Sequence, residues 1–250
     1  MSSLSVRVVG VGDAFTARYY NACLLLETAE TRLLIDAPPA LARALRDLSR
    51  AAPDQETVGL DEIDHVLITH LHGDHMGGLE QLLYWRRFVT QRKAALYAIP
   101  EVLAGLWETR LRGGMETLLE TPTGPSRSLT LEDYADVHPL EQGESRIGDL
   151  LLSWRPTIHH IPTSAIRVRA GSSSFGYSAD TAFDPGLIAW LAACDLFFHE
   201  TNLGVHTPLS SLAALPAATR ARMRLIHYPD FHEVEISPIP CAREAERFEL

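Results

Sequence analysis

The stretch Ile68-Thr69-His70-Leu71-His72-Gly73-Asp74-His75-Met76-Gly77-Gly78 limits what this chain can fold into more than any other. Three histidines and an aspartate fall within six positions, directly behind the run His65-Val66-Leu67-Ile68. That run is the length of a buried strand, which would enter the core and release a polar cluster at its end. The glycines after His75 permit a sharp turn into a helix predicted to begin near Leu79. Neutral imidazoles and a carboxylate at this density are the donors of zinc or a similar first-row divalent ion. A solvated polar loop has no need of so many metal-competent groups.

Further donors must reach the same strand end, so the order of elements matters. The pattern predicts a strand over 6–12, a hairpin over 22–27 and 31–36, and a helix over 40–49 carried by Leu41, Ala44, Leu45 and Leu48. Gly10-Val11-Gly12 lacks the third glycine and the helix of a nucleotide-binding turn. Helices are expected over 79–92 and from Pro100 to near Gly113-Gly114, with a strand over 94–99 between them. Residues 115–136 read as a loop or lid around Pro122, Gly124 and Pro125. Strands resume near Val137, over 146–147 and 150–154, and in a second hairpin over 164–170 and 173–178. A short helix over 185–193, a strand over 195–198, a helix over 210–222 divided near Pro216 and a last strand over 224–226 complete the chain. Hairpins in both halves, interleaved with helices, imply two packed sheets with helices outside: an α/β (α+β) class in one domain spanning 1–250.

Composition removes several function classes. The formal net charge of −10 argues against a long nucleic-acid footprint, which needs clustered Lys and Arg. A short anionic ligand held by metal ions remains compatible, because bound cations dominate the local field. No apolar run reaches the roughly 20 residues of a membrane helix, and residues 1–7 do not form an export signal. Cys23, Cys194 and Cys241 are scattered and odd in number, which suits reduced thiols in a cytoplasmic protein.

Three later groups occupy predicted strand ends: His159-His160, Asp180 and His227. With them the sequence resembles the metallo-β-lactamase superfamily over nearly its whole length. Thr69 to His75 matches that superfamily's T-H-x-H-x-D-H motif without departure, and Asp36 matches the aspartate that closes an earlier strand. The resemblance implies a four-layered αβ/βα metallo-β-lactamase sandwich with metals at one edge between the sheets. It also implies two divalent ions, zinc or alternatively manganese. His70, His72 and His159 would hold the first ion, Asp74, His75 and His227 the second, and Asp180 would bridge them. A water with its pKa lowered toward neutrality would attack, and Asp74 would help to orient or deprotonate it.

Successive residues of an extended segment face opposite ways, so only one of His159 and His160 reaches a metal. The stretch from His159 to Ser164 resembles the ribonuclease Z pattern H-G-I-P-S, which favours His159 and leaves His160 as a neighbour or substrate contact. Residues 195–201 resemble the D-L-L-I-H-E-A segment of ribonuclease Z and related phosphodiesterases, and His206-Thr207 resembles their H-S/T segment. By that resemblance Glu200 and His206 form a pair whose histidine protonates the leaving alkoxide. The division is chemically sensible, since an activated water supplies attack but a poor leaving group still needs a proton. The alternative makes Glu200 a buried partner of His199 and His206 a surface residue. His65 and His199 read as structural, and His138 and His232 as loop residues. Residues 18–21 either touch a phosphate or base or form an aromatic turn.

Only a short hairpin separates His159 from Asp180, where long-armed ribonuclease Z enzymes insert a tRNA-binding arm. The expectation is therefore a homodimeric phosphodiesterase of small anionic phosphodiesters, cyclic nucleotides foremost, with residues 15–20 or 115–136 as candidate segments for closing the partner's pocket. A ribonuclease Z-like tRNA 3′ endonuclease is the runner-up. A lactone or thioester hydrolase and a mono-iron oxidoreductase are further alternatives.

Overall fold

In a computed structural model, residues 3–51, 56–119 and 121–250 are described. Strands β1 (Ser5–Gly10), β2 (Cys23–Glu27) and β3 (Arg32–Ile35) form a meander, followed by helix α1 (Leu41–Ala51), strand β4 (His65–Leu67), the single turn α2 (Gly73–Met76) and α3 (Leu79–Trp85). Next come β5 (Ala94–Ala98), α4 (Pro100–Leu106), α5 (Arg112–Met115), the small hairpin β6 (Thr117–Leu119) and β7 (Ser126–Ser128), and β8 (Ala135–Pro139). The second half contains β9 (Glu144–Ile147), β10 (Leu150–Pro156), β11 (Ser164–Ala170), β12 (Ser173–Tyr177), α6 (Pro185–Leu191) and β13 (Leu196–Glu200). It ends with α7 (Leu209–Ala213), α8 (Ala217–Ala221), β14 (Met223–Ile226) and β15 (Arg247–Glu249).

Among the described residues one sheet has seven strands in the order β15-β1-β2-β3-β4-β5-β8, and another has six in the order β14-β13-β12-β11-β10-β9. Strands β1, β2 and β13 are buried along their whole length, so the sheets are covered on both faces there. That is the signature of a sheet lying between another sheet and a helical layer. Strands β3, β4, β5 and β8 run parallel, as do β12, β13 and β14. In open α/β sheets the crevice beyond the carboxyl ends of parallel strands is where ligands bind.

Several local expectations need correction. The helix from Pro100 ends near Gly113-Gly114 as expected, at Met115, but it reaches that point through a π turn (Trp107–Leu111). Its last carbonyls are held by tyrosines, with Tyr84 Oη donating to Gly114 O (2.7 Å) and Tyr134 Oη to Met115 O (2.8 Å). The 79–92 helix likewise ends in a π turn (Arg86–Thr90), closed by Gln91 at φ 56°. Residues 115–136 carry the β6–β7 hairpin in place of the expected loop or lid, and His138 lies within β8, stacked on Tyr97 at 5.0 Å. A further unexpected strand, β15, returns to pair antiparallel with β1. Its three residues contain only one apolar side chain, Phe248, which packs edge-on against Phe198 at 5.4 Å. A strand that short carries no readable period.

The glycines at the end of β1, Gly10 and Gly12, serve backbone packing. Ideal Cβ atoms at Gly10 and Gly12 would stand 2.1 Å from Asn21 O and 2.5 Å from Thr16 Cγ2, respectively, so the 13–21 loop folds directly over them. Gly10→Ala should therefore lower stability by about 1–3 kcal/mol, the usual cost of overpacking. Chemical denaturation would measure it, and an unchanged midpoint would show that the loop is not seated on this strand.

Candidate active site

At one edge of the sandwich the strand ends converge. β4 leads to His70, His72 and the α2 turn with Asp74 and His75, and the β10–β11 connection supplies His159. Asp180 follows β12, Glu200 ends β13, and His227 follows β14. Three reversals there use non-glycine residues with left-handed backbone, Asp36 (φ 65°), Ala179 (φ 48°) and His227 (φ 54°). Such conformations cost energy and persist only where the surroundings over-determine them.

The buried Asp36 carboxylate organises the first cluster from beneath. It accepts hydrogen bonds from the Thr69 amide (2.8 Å) and hydroxyl (2.9 Å) and from His75 Nδ1 (2.8 Å). His75 Nε2 is thereby turned toward Asp74 and Asp180, each 3.2 Å away. This is the carboxylate–histidine arrangement that fixes the tautomer of a metal ligand. Thr69, the first residue of the T-H-x-H-x-D-H motif, is part of it.

Donor atoms of His70, His72, His159 and Asp180 all lie within 4.8 Å of one another, and so do those of Asp74, His75, Asp180 and His227. His72 Nδ1 stands 3.2 Å from His70 Nε2 and 3.1 Å from His159 Nε2. Neutral imidazoles have one lone pair each, so three nitrogens aimed at one point leave at least one repulsive contact unless a cation lies between them. His75 Nε2 and Asp180 Oδ1 are buried without a hydrogen-bond partner despite facing each other. These orphaned donors fit a divalent-metal centre. His159 points into the cluster with its side chain fully buried, whereas His160 is exposed on the cleft wall.

Electrostatics divide the two groups. Burial pushes the imidazoles of His70 and His159 down, His159 to about 4, which leaves neutral nitrogens ready to bind metal. Burial also opposes charge on His75 and His227, but the surrounding carboxylates, Asp180 foremost and Asp74 with it, together outweigh burial and push both up, His227 to about 9. Metal binding at the second group therefore displaces protons.

A third grouping stands beside these, Glu200 with His206 and His227. Glu200 Oε1 accepts from the Thr181 amide (2.7 Å) and from His206 Nδ1 (2.8 Å), so this oxygen is occupied. Burial disfavours a charged His206, yet the hydrogen bond and charge of Glu200, with the charge of Asp180, together outweigh that and raise its pKa. Its ring lies 5.4 Å from that of His159 and 5.5 Å from that of His227. His199 is instead a buried structural residue, bonded to the Glu200 carbonyl oxygen at 2.8 Å.

A cleft of about 620 Å³ opens over this edge, lined by His72, Asp74, Asp180, His206 and His227. Its outer wall carries Phe15, Leu203 and Phe231, exposed by 92%, 67% and 69%; Phe15 opens the 15–20 segment expected near a pocket, whereas Leu203 and Phe231 carry no expectation from sequence. They come from three separate loops, and no spacing in the chain links them. Arg18, Tyr19, Tyr20 and Asn21 do not line the cleft. Tyr19 packs edge-on against Tyr228 and Tyr20 bonds Asp47, so the aromatic-turn alternative describes them. Among the described residues none from 115–136 lines it either.

The protein-family profile for "Anti-Pycsar protein Apyc1" matches residues 4–238. The chain is 34% identical to an anti-Pycsar protein Apyc1 from Paenibacillus sp. (strain J14) over 236 residues, 91% of this chain and 90% of that protein. It is 34% identical to another from Saccharibacillus brassicae over 247 residues, covering 92% of each. Among solved structures, the metallo-β-lactamase fold protein YhfI from Bacillus subtilis superposes over all of both chains with a TM-score of 0.78 at 17% identity, a likeness of fold.

Proposed function

The chain belongs to the anti-Pycsar Apyc1 family, and from that membership we propose that it is a metal-dependent phosphodiesterase that hydrolyses cyclic nucleotides. The observation that carries this reading is the Glu200–His206 pair, bonded at 2.8 Å, whose histidine lines the same cleft as His72, Asp74, Asp180 and His227. A lactone or thioester needs only an activated water, but a phosphodiester with an alkoxide leaving group also needs an acid.

His70, His72 and His159 would hold one ion, Asp74, His75 and His227 a second, with Asp180 shared between them. Nitrogen-rich, partly open donor sets of this kind suit zinc, with manganese as the alternative. Bound divalent ions supply Lewis acidity, polarising the phosphoryl oxygens and lowering the pKa of a water toward neutrality. Asp74 accepts a proton and orients the attacking oxygen from the metal side of the cleft. His206 holds a proton on its free ring nitrogen while Glu200 fixes the ring through Nδ1. As the P–O bond breaks, that proton passes to the leaving oxygen and the imidazole becomes neutral. Phe15, Leu203 and Phe231 offer apolar surface on which a nucleobase can lie. One domain over residues 1–250, a homodimer and a cytoplasmic location belong to the same reading. Among the described residues no helix is long and apolar enough to cross a membrane. Sedimentation analysis tests the dimer.

A substrate panel tests the function. Cyclic 3′,5′- and 2′,3′-nucleotides and a bis-aryl phosphodiester should be hydrolysed, while precursor tRNA and a lactone should not. Faster turnover of tRNA or of the lactone would overturn the reading, as would a single redox-active iron in metal analysis. Chelation should abolish hydrolysis and lower the melting temperature, because metal at about 100 times its Kd contributes roughly 2.7 kcal/mol. Zinc or manganese should restore both. Activity that survives complete chelation would exclude a metal centre.

A further inference from the structure

The loop that carries His206 is anchored at a second point. Asp13, only 4% exposed, stands where the loop after β1 meets the loop after β13. Its Oδ2 accepts from Asn202 Nδ2 at 2.9 Å and its Oδ1 from the Phe15 amide at 3.0 Å, while its carbonyl oxygen accepts from Asn21 Nδ2 at 2.6 Å. Asn202 is used at both ends of its amide, because its Oδ1 accepts from the Leu203 amide at 2.8 Å. Its backbone N–H donates to Thr207 O at 3.2 Å, which closes the loop with His206 at its neck. Thr207 Oγ1 in turn donates to Thr181 O at 2.9 Å, beside Asp180.

We propose that Asp13 and Asn202 form a positioning pair that aims His206 at the leaving oxygen. The proposal rests on the reading of His206 as proton donor. Neither side chain needs to touch the reacting atoms. Glu200 fixes only Nδ1, and a ring held at one atom can still tilt about that bond. The loop main chain sets the remaining freedom, and Asn202 sets the loop. Asp13 is the acceptor that Asn202 finds across the cleft mouth, on an element 189 residues away. A proton donor displaced by about 1 Å loses up to a hundredfold in rate, so a tether of this kind has a measurable effect on catalysis.

The pair can be reversed, which separates positioning from mere stability. In Asp13→Asn the side-chain oxygen keeps the Phe15 amide, but an N–H then faces Asn202 Nδ2, donor against donor. In Asn202→Asp two carboxylates face each other. The double variant D13N/N202D restores one donor and one acceptor, and the carboxylate introduced at position 202 can still accept from the Leu203 amide.

Rates are compared on 3′,5′-cyclic AMP, whose leaving group is a poor alkoxide, and on bis(4-nitrophenyl) phosphate, whose leaving group needs little protonation. Each single variant should lose about ten- to a hundredfold in kcat on the cyclic nucleotide, with metal content unchanged and a much smaller loss on the aryl ester. The double variant should recover most of it, and Asp13→Asn should cost little when added to His206→Ala. Equal losses on both substrates, or no recovery in the double variant, would mean that the pair only stabilises the fold. If Asp13→Asn does not fold, Asn202→Ala removes the donor from a half-buried position and is read in the same way. His206→Ala alone discriminates the premise: no leaving-group dependence there overturns the proton-donor reading and this proposal with it. A leaving-group effect at His206 without one at Asp13 overturns the positioning pair alone.

Discussion

His206→Ala should keep its metal and lose about 10²–10⁴-fold in rate on 3′,5′-cyclic nucleotides, the usual contribution of a positioned acid. The expectation follows from geometry. His206 Nδ1 is bonded to Glu200 Oε1 at 2.8 Å, so the charged ring is favoured and the other nitrogen is free toward the cleft. His206 lies outside both metal-competent groups that contain Asp180, so its removal leaves those donors intact. On a bis-aryl ester the loss should shrink to within about tenfold, because a phenolate leaves without a proton. Metal analysis with kcat on both substrates decides it. Equal activity of variant and parent on cyclic nucleotides would remove His206 from the chemistry.

The second large effect is expected at Asp180. Its carboxylate lies 3.2 Å from His75, 3.6 Å from His227, 3.7 Å from His70 and 3.8 Å from His159, and it belongs to both donor groups. Burial works against its charge, yet the surrounding imidazoles, His227 foremost, hold its pKa well below the ordinary carboxylate range. Asp180→Asn preserves shape and removes that charge. The metal-free chain should lose about 3–5 kcal/mol, the usual effect of breaking a buried charge pair. Metal content should fall below that of the parent, and kcat should drop more than about a hundredfold, at least as far as the loss of an outer-shell partner takes a metal site. Calorimetry of the chelated protein separates the first effect from the others. A variant with full metal content and undiminished rate would show that the two groups do not share this carboxylate.

Much of the architecture was legible in the chain. Runs such as Leu24-Leu25-Leu26 and Leu33-Leu34-Ile35 are too short for helices and too apolar for loops, and they became the buried strands β2 and β3. The helix over 210–222 divides at Pro216, which N-caps the second segment. Errors arose where a local signal was outweighed by a distant contact. His138 reads locally as a loop residue, but β8 sets it beside Tyr97 of β5, ring on ring at 5.0 Å. Strand β15 exists because β1 leaves an edge to be paired, and its own three residues do not require it.

By itself the sequence determined the dense cluster from His70 to His75, because those donors are neighbours along one loop and need no folding to be counted together. It also pointed through motif likeness to Asp180, His227, Glu200 and His206. Only the tertiary structure decided how these meet. His159 rather than His160 turns toward His72, 87 residues away, and His227 meets Asp74 across 153 residues. The pairing of Asp13 with Asn202 has no counterpart in any spacing of the chain. The physical reason is that periodicity records which face of an element is buried, whereas contacts between loops depend on where the carboxyl ends of parallel strands come together.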